Sequence, residues 1–231
     1  MQKFWIKVLI FFLIYSIGFS QAIKWEEKAN KMVNEQIAIR GVTDPEVLAV
    51  LQKTPRHRFV PDEVSKYAYN DHPLPIGEGQ TISQPYIVAF MTEMLDLDSN
   101  HKILEIGTGS GYQAAVLSPL VNHVYTIEIV KSLANSADST IKKLGYKNIT
   151  VRWGDGYKGW PKEAPFDRII GTAAPPEIPL ALIEQLKPGG KMVLPVGTRW
   201  QEIVVVTKNA SGEISKKNVL PVRFVPMVRQ K

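Results

Sequence analysis

Lys102-Ile103-Leu104-Glu105-Ile106 is a short apolar run that reads as a buried strand. Gly107, Gly109 and Gly111 then interrupt the chain at every second position, and a helical pattern with Ala114, Ala115, Val116 and Leu117 follows. Strand, glycine-rich turn and helix make the nucleotide-cradling unit of doubly wound α/β proteins. Glycine lets the backbone turn sharply and lets a ligand lie against bare main chain. The spacing is Gly-x-Gly-x-Gly, whereas dinucleotide binders use Gly-x-Gly-x-x-Gly. Glu105 stands two positions before the first glycine. Its carboxylate would repel a pyrophosphate and attract the ammonium of an amino-acid-like ligand. That chemistry points to S-adenosyl-L-methionine, which carries a free amine and no phosphate. Taken alone, the loop also fits a tight turn in an ordinary α/β fold.

The chain has 231 residues, 45% of them apolar, enough for one large domain with a substantial core. Its net charge of +6 is scattered, so nucleic-acid binding is not demanded and none is expected. With no cysteine, a disulfide framework, a thiolate nucleophile and a Cys-type zinc site are excluded. His57, His72, His101 and His123 show no metal-ligand spacing, and no metal site is expected. At the N-terminus, Lys3 and Lys7 precede an uncharged apolar run from Val8 to Phe19, and Ser20-Gln21-Ala22 follows. Residues 1–22 therefore read as a signal peptide or N-terminal anchor, the one place where membrane contact is expected. A single domain is expected over 23–231. Its first part, 23–100, carries N-terminal helices and a long loop; 101–231 carries the sheet.

Trp25 to Ile39 reads as an amphipathic helix ended by Gly41. Thr43-Asp44-Pro45 starts a second helix through Leu51, closed by Pro55 to Pro61. Asp71 to Pro85 is a long stretch of turn formers before a helix from Tyr86 to Leu95, and unstructured loops of that length are usually functional. Ser83 stands where it can cap that helix, a plain structural role. Its hydroxyl and the free amides at the helix start also suit a carboxylate. Further strands are expected at Val124–Glu128, Ile149–Trp153, Phe166–Gly171 and Lys191–Val196, with helices at Lys131–Leu144 and Ile178–Leu186. Gln201–Thr207 and Asn218–Phe224 flank a short polar turn and read as a terminal antiparallel hairpin. The whole is a doubly wound, mostly parallel seven-stranded sheet.

Glu105, Glu128 and Asp155 fall at the carboxyl ends of three successive expected strands, where doubly wound sheets bind ligands. An acid about 20 residues past the loop, Glu128, suits ribose hydroxyls; Asp155, between Gly154 and Gly156, suits an adenine amino group or simply a turn. These residues resemble the class I S-adenosylmethionine-dependent methyltransferases, a Rossmann-like fold. The resemblance is closer still to the protein-L-isoaspartate O-methyltransferase family. It is carried by Gly79-Gln80-Thr81-Ile82-Ser83-Gln84-Pro85, Leu104 to Tyr112, Gly154-Asp155-Gly156, Thr172 to Pro179, Leu194-Pro195-Val196-Gly197 and Val222 to Pro226. It implies methylation of the free α-carboxylate of isoaspartyl residues, with D-aspartyl residues as a further candidate, in damaged proteins and peptides, initiating repair through a succinimide. It implies an active-site hydroxyl on Ser83 and cofactor contacts at Ile82, Ser83, Gly107, Glu128, Asp155 and Gly156, beside the loop's own Glu105, Gly109 and Gly111. Substrate contacts are expected from Thr81, Ser83, Arg223 and Val225, with Arg223 to Pro226 closing over the site. A cytoplasmic monomer is the expectation from the family and from cofactor supply; the leader points instead to export. A class I methyltransferase acting on a small molecule or nucleic acid is the competing reading.

Overall fold

The computed structural model describes residues 25–230, so the expected leader at 1–22 and the domain start at 23 lie outside it. Helix α1 spans residues 25–32 and continues as a π-turn, Val33–Ile37, and a 3₁₀ turn, Ala38–Arg40, before Gly41 stops it at φ 95°. The wide turn contains Gln36, whose amide donates to Tyr69 O and accepts from Asp71 N, tying the helix to the stretch before the site. Helix α2, Pro45–Lys53, is capped by Asp44, which accepts from the Glu46 and Val47 amides. A 3₁₀ turn, Arg56–Phe59, and a short helix α3, Asp62–Ser65, follow.

The stretch from Asp71 to Pro85 contains a hairpin that the sequence reading leaves as loop. Strands β1, Leu74–Gly77, and β2, Gln80–Ile82, pair antiparallel around Glu78-Gly79. Both strands are too short, and β1 too rich in Pro and Gly, to show an alternating pattern. Helix α4 is Pro85–Met94.

The remaining chain alternates β3 Lys102–Ile106, α5 Tyr112–Leu117, β4 His123–Glu128, α6 Lys131–Lys143, β5 Ile149–Trp153, β6 Phe166–Gly171, α7 Leu180–Gln185 and β7 Leu186–Gly197. It ends with β8 Gln201–Lys208 and β9 Ile214–Val222. The seven strands lie in the order β5-β4-β3-β6-β7-β8-β9. Pairs from β5 across to β7 are parallel and the last two are antiparallel. This is the expected sheet. Strand β7 begins earlier than expected, because Leu186 pairs with Phe166 before a bulge restores the register at Arg168–Lys191. Strand β9 ends at Val222 rather than Phe224 because the buried Gln201 amide takes both main-chain groups of Phe224.

Alternation along each strand builds a core on each face. Ile103, Val124, Ile170 and Val193 pack under the N-terminal helices, α4 and α5. Leu104, Ile106, Ile169 and Met192 pack against Leu182 of α7. Strand β3 has β4 on one side and β6 on the other, so the strand order reverses there, and a crevice opens above its carboxyl end.

Candidate active site

The crevice is floored by the glycine loop. Gly107, Gly109 and Gly111 have φ of 99°, 54° and 88°. A Cβ on Gly107 would strike Thr172 Oγ1, the first residue past β6, whose hydroxyl donates to Gly107 O at 2.5 Å. Glu128 fixes the loop from the other side: Oε2 accepts from Gly109 N at 2.7 Å and Oε1 from Val130 N at 2.9 Å. Each carboxylate oxygen keeps a lone pair for a ligand. Gly111 turns away, its α-carbon facing Ile141 of α6.

Above the loop lies an open cavity walled by Gly107, Gly109, Glu128, Gly156, Thr172 and Val225 among others. The β1–β2 hairpin overhangs it with Gln80 and Thr81, and its tip is anchored where Ser132 of α6 donates to Glu78. The C-terminal strap, Val225 to Val228, forms the facing wall. The strap is held by Ala174, which donates to Val225 O and accepts from Met227 N, and by the Tyr157 hydroxyl on Met227 O. A second, smaller cavity adjoins at Thr81, Gly107, Gly109 and Thr172, and carries Ile82 and Ser83.

Ser83 is not the cap of α4. Gln84 occupies the cap position and offers no side-chain cap; Asp71 instead accepts from Tyr86 N at 2.8 Å. Asp71 also accepts from Gln84 Nε2 and Arg40 Nη1, each at 2.6 Å. A carboxylate 15 residues upstream of Tyr86 has thus taken over the capping, which leaves the Ser83 hydroxyl without a partner among the described residues, on a residue that lines the second cavity. The Ser83 carbonyl is held by Arg56. This guanidinium is fully buried, donates Nη2 to Ser83 O at 2.7 Å and Nε to Ala68 O at 2.8 Å, and stacks 4.7 Å from the Tyr112 ring. No carboxylate lies within ion-pair distance of it among the described residues, and burial lowers its pKa.

The other expected residues are spread around this centre. Glu105 lies under the loop, fully buried between Thr126 and Ile170, and lines neither cavity. Neither of its oxygens has a hydrogen-bond partner among the described residues, and burial, partly offset by Thr126 and reinforced by the Glu128 charge, pushes its pKa up to about 8. Asp155 is buried beside the cavity and caps a 3₁₀ turn by accepting from Tyr157 N; its neighbour Gly156 reaches the wall. Arg223 is exposed on the rim, two residues before Val225, where the strap meets the cavity. Thr172, Arg56 and Asp71 were not among the expected site residues. Thr172 carried a signal, since it directly follows a strand bordering the crevice; Arg56 and Asp71 act across the fold.

The sheet, the glycine loop and the acid at the end of β4 define a protein of the methyltransferase fold. The family model for Protein-L-isoaspartate(D-aspartate) O-methyltransferase (PCMT) matches residues 27–231. The protein-L-isoaspartate O-methyltransferase of Opitutus terrae is 50% identical, over 95% of this chain and 96% of that one. That of Gloeobacter violaceus is 53% identical, over 87% and 98%. Among solved structures, a protein-L-isoaspartate O-methyltransferase superimposes with a TM-score of 0.78 at 29% identity, over 87% of this chain and 65% of that one. A Plasmodium falciparum protein of the same description, in complex with S-adenosyl-L-homocysteine, gives 0.76 at 25% identity, over 87% and 99%. The chain belongs to the protein-L-isoaspartate(D-aspartate) O-methyltransferase family.

Proposed function

We propose that the chain transfers a methyl group from S-adenosyl-L-methionine to the free α-carboxylate of isoaspartyl residues in damaged proteins and peptides. The observation that carries this reading is the unpartnered Ser83 hydroxyl, set on a cavity that opens into the ligand crevice beside Gly107. The residues present fit the cofactor. Gly107 and Gly156 offer bare backbone where a Cβ would meet Thr172 or Ile106. Glu128 presents acceptors to a ribose, and the orphaned carboxyl of Glu105 lies beneath the loop as a partner for an ammonium. In this reading Asp155 and Gly156 hold the adenine end, and the Ile82-Ser83 backbone, Gly107 and Gly109 hold the methionyl end. Gly111 contributes by shaping the turn.

When bound, the cofactor supplies a methyl group on a sulfonium. The substrate carboxylate is ionised at neutral pH, with a pKa of about 3.5 to 4, so the chain need supply no general base. A carboxylate oxygen held in line would take that methyl, with the carbon–sulfur electron pair left on the cofactor's sulfur. Ser83 donates to the carboxylate and aims it; Thr81 and Val225 bound its approach and Arg223 attracts it at the rim. Orientation of this kind supplies roughly 7 to 11 kcal/mol of the barrier. Opposite charges are neutralised as the bond forms, so a water-poor site favours the step. Methyl transfer to an isoaspartyl peptide, against its aspartyl twin, tests the reading. Equal labelling of both, or of neither, overturns it.

We further propose a monomer working where the cofactor is made, in the cytoplasm, with residues 23–231 as one folded unit. No helix among the described residues is long and apolar enough to cross a membrane. N-terminal sequencing of the mature protein tests the location: loss of residues 1–22 would mean export.

A further inference from the structure

Trp200 is 91% exposed, the most exposed large apolar side chain among the described residues. It is not on a loose loop. Strand β7 runs parallel to β6, so its end at Gly197 lies on the same rim as Thr172, and β8 starts and β9 ends there too. The turn from Gly197 to Gln201 is pinned. Gly197 N donates to Pro175 O at 3.0 Å, and a Cβ at Gly197 would strike the Trp200 carbonyl. Gln201 accepts from Phe224 N at 2.6 Å and donates to Phe224 O at 3.2 Å. Gln201 pairs with Val222, so the next residues outward are Trp200 on one strand and Arg223 on the other. Arg199 and Arg223 are both exposed, and neither has a carboxylate within 4 Å among the described residues. The nearby Glu202 is engaged by Asn218. Two residues beyond Arg223, Val225 is cavity wall.

We propose that Trp200, Arg199 and Arg223 form a seat on the rim for the residues flanking the isoaspartyl position, and that the stretch they fit is acidic. This rests on the proposed function. An isoaspartyl residue enters the cavity while its chain neighbours remain outside, and the strap side of the rim offers them an indole and two free guanidiniums. The cations attract an acidic flank and steer it in; the indole packs against its main chain and aliphatic stems.

The test is initial-rate methyl transfer to three isoaspartyl peptides of equal length carrying Glu, Gln or Lys beside the isoaspartyl residue. The wild-type chain should rank them Glu, Gln, Lys in kcat/KM, spread about tenfold at low salt and less at high salt, because exposed charges are screened. Arg199→Ala combined with Trp200→Ala should raise KM for the Glu peptide about fivefold and collapse the ranking, with kcat on saturating Gln peptide unchanged. Both side chains are exposed, so the double variant keeps its fold. No charge ranking in the wild type, or the same ranking in the double variant, overturns the seat while leaving the proposed activity intact. Failure to label any of the three peptides overturns the activity itself, and the seat with it.

Discussion

The two walls of the crevice are built by different means. On the glycine-loop wall the main requirements follow from one repeating βα unit: a strand, three glycines at positive φ, and an acid at the tip of the next strand. On the Ser83 wall nothing is local. Asp71 caps the helix that Ser83 would otherwise cap, Arg56 holds the Ser83 carbonyl, and the hairpin tip is anchored on α6. The first wall positions a ligand through backbone shape, which tolerates almost no side chain. The second positions a single hydroxyl through long-range hydrogen bonds, which loosen by degrees. Substitutions on the first should therefore cost binding and folding together, and those on the second should cost turnover.

The largest effect is expected at Gly107. Gly107→Ala puts a Cβ against Thr172 Oγ1 at φ 99°, and the strain should destabilise the fold by about 3 kcal/mol. Cofactor affinity, read by calorimetry, should fall by about 100-fold, since the loop must shift by something near an ångström. An alanine variant that binds normally would mean that the loop is not the floor of the ligand site. Next comes Ser83→Ala. Turnover should drop on the order of 100-fold with cofactor affinity within about twofold, because alignment of the carboxylate is lost while the cradle is untouched. Turnover equal to wild type would remove Ser83 from the reaction.

This contrast also explains how much was legible in the sequence. The sheet, its order of elements and the terminal hairpin follow from apolar runs punctuated by glycine and proline, and the structure bears them out. Glu128 was legible because its distance from the loop is set by one βα unit. Ser83 was legible from the residues as a helix cap whose hydroxyl also suits a carboxylate, and as the active-site hydroxyl only through the resemblance; the capping went to Asp71, a contact across 15 residues that no local pattern encodes. The short hairpin was missed for a related reason, since Pro75 and Gly77 obscure any alternation in a four-residue strand. Arg56 sits in the stretch Pro55 to Pro61, which the sequence shows only as the close of a helix, yet it is the largest fully buried side chain among the described residues.

Arg56 sharpens the comparison, since it couples burial to the Ser83 wall. Arg56→Met keeps apolar contact with Tyr112 and removes an ion without a carboxylate partner, which offsets part of the cost of orphaning the Ser83 and Ala68 carbonyls, so stability should fall by about 1 to 3 kcal/mol. Turnover should fall about tenfold with cofactor affinity unchanged, because the Ser83 carbonyl loses its donor. Arg56→Lys keeps the charge but cannot span both carbonyls, and should melt at a lower temperature than the methionine variant. If methionine costs stability and leaves turnover intact, Arg56 serves the fold alone.

The smallest effect is electrostatic and belongs to the glycine-loop wall. Burial raises the Glu105 pKa from 4.5 to about 8, so the ligand-free protein holds this carboxyl protonated at neutral pH. A carboxyl whose folded pKa lies above its unfolded value contributes stability that is fully present below about pH 4.5 and is lost as pH rises through about 8. Glu105→Gln keeps the neutral shape and cannot ionise. Its melting temperature should therefore fall less than that of the wild type between pH 5 and pH 8, in matched titrations without ligand. An ammonium reaching the carboxyl, directly or through water, reverses the preference. Cofactor binding at pH 7 should then release a proton, seen as a dependence of the binding heat on the ionisation enthalpy of the buffer, and the glutamine variant should release fewer. Identical proton release in the two proteins would place the ammonium elsewhere in the crevice and leave Glu105 as a buried acid of the sheet.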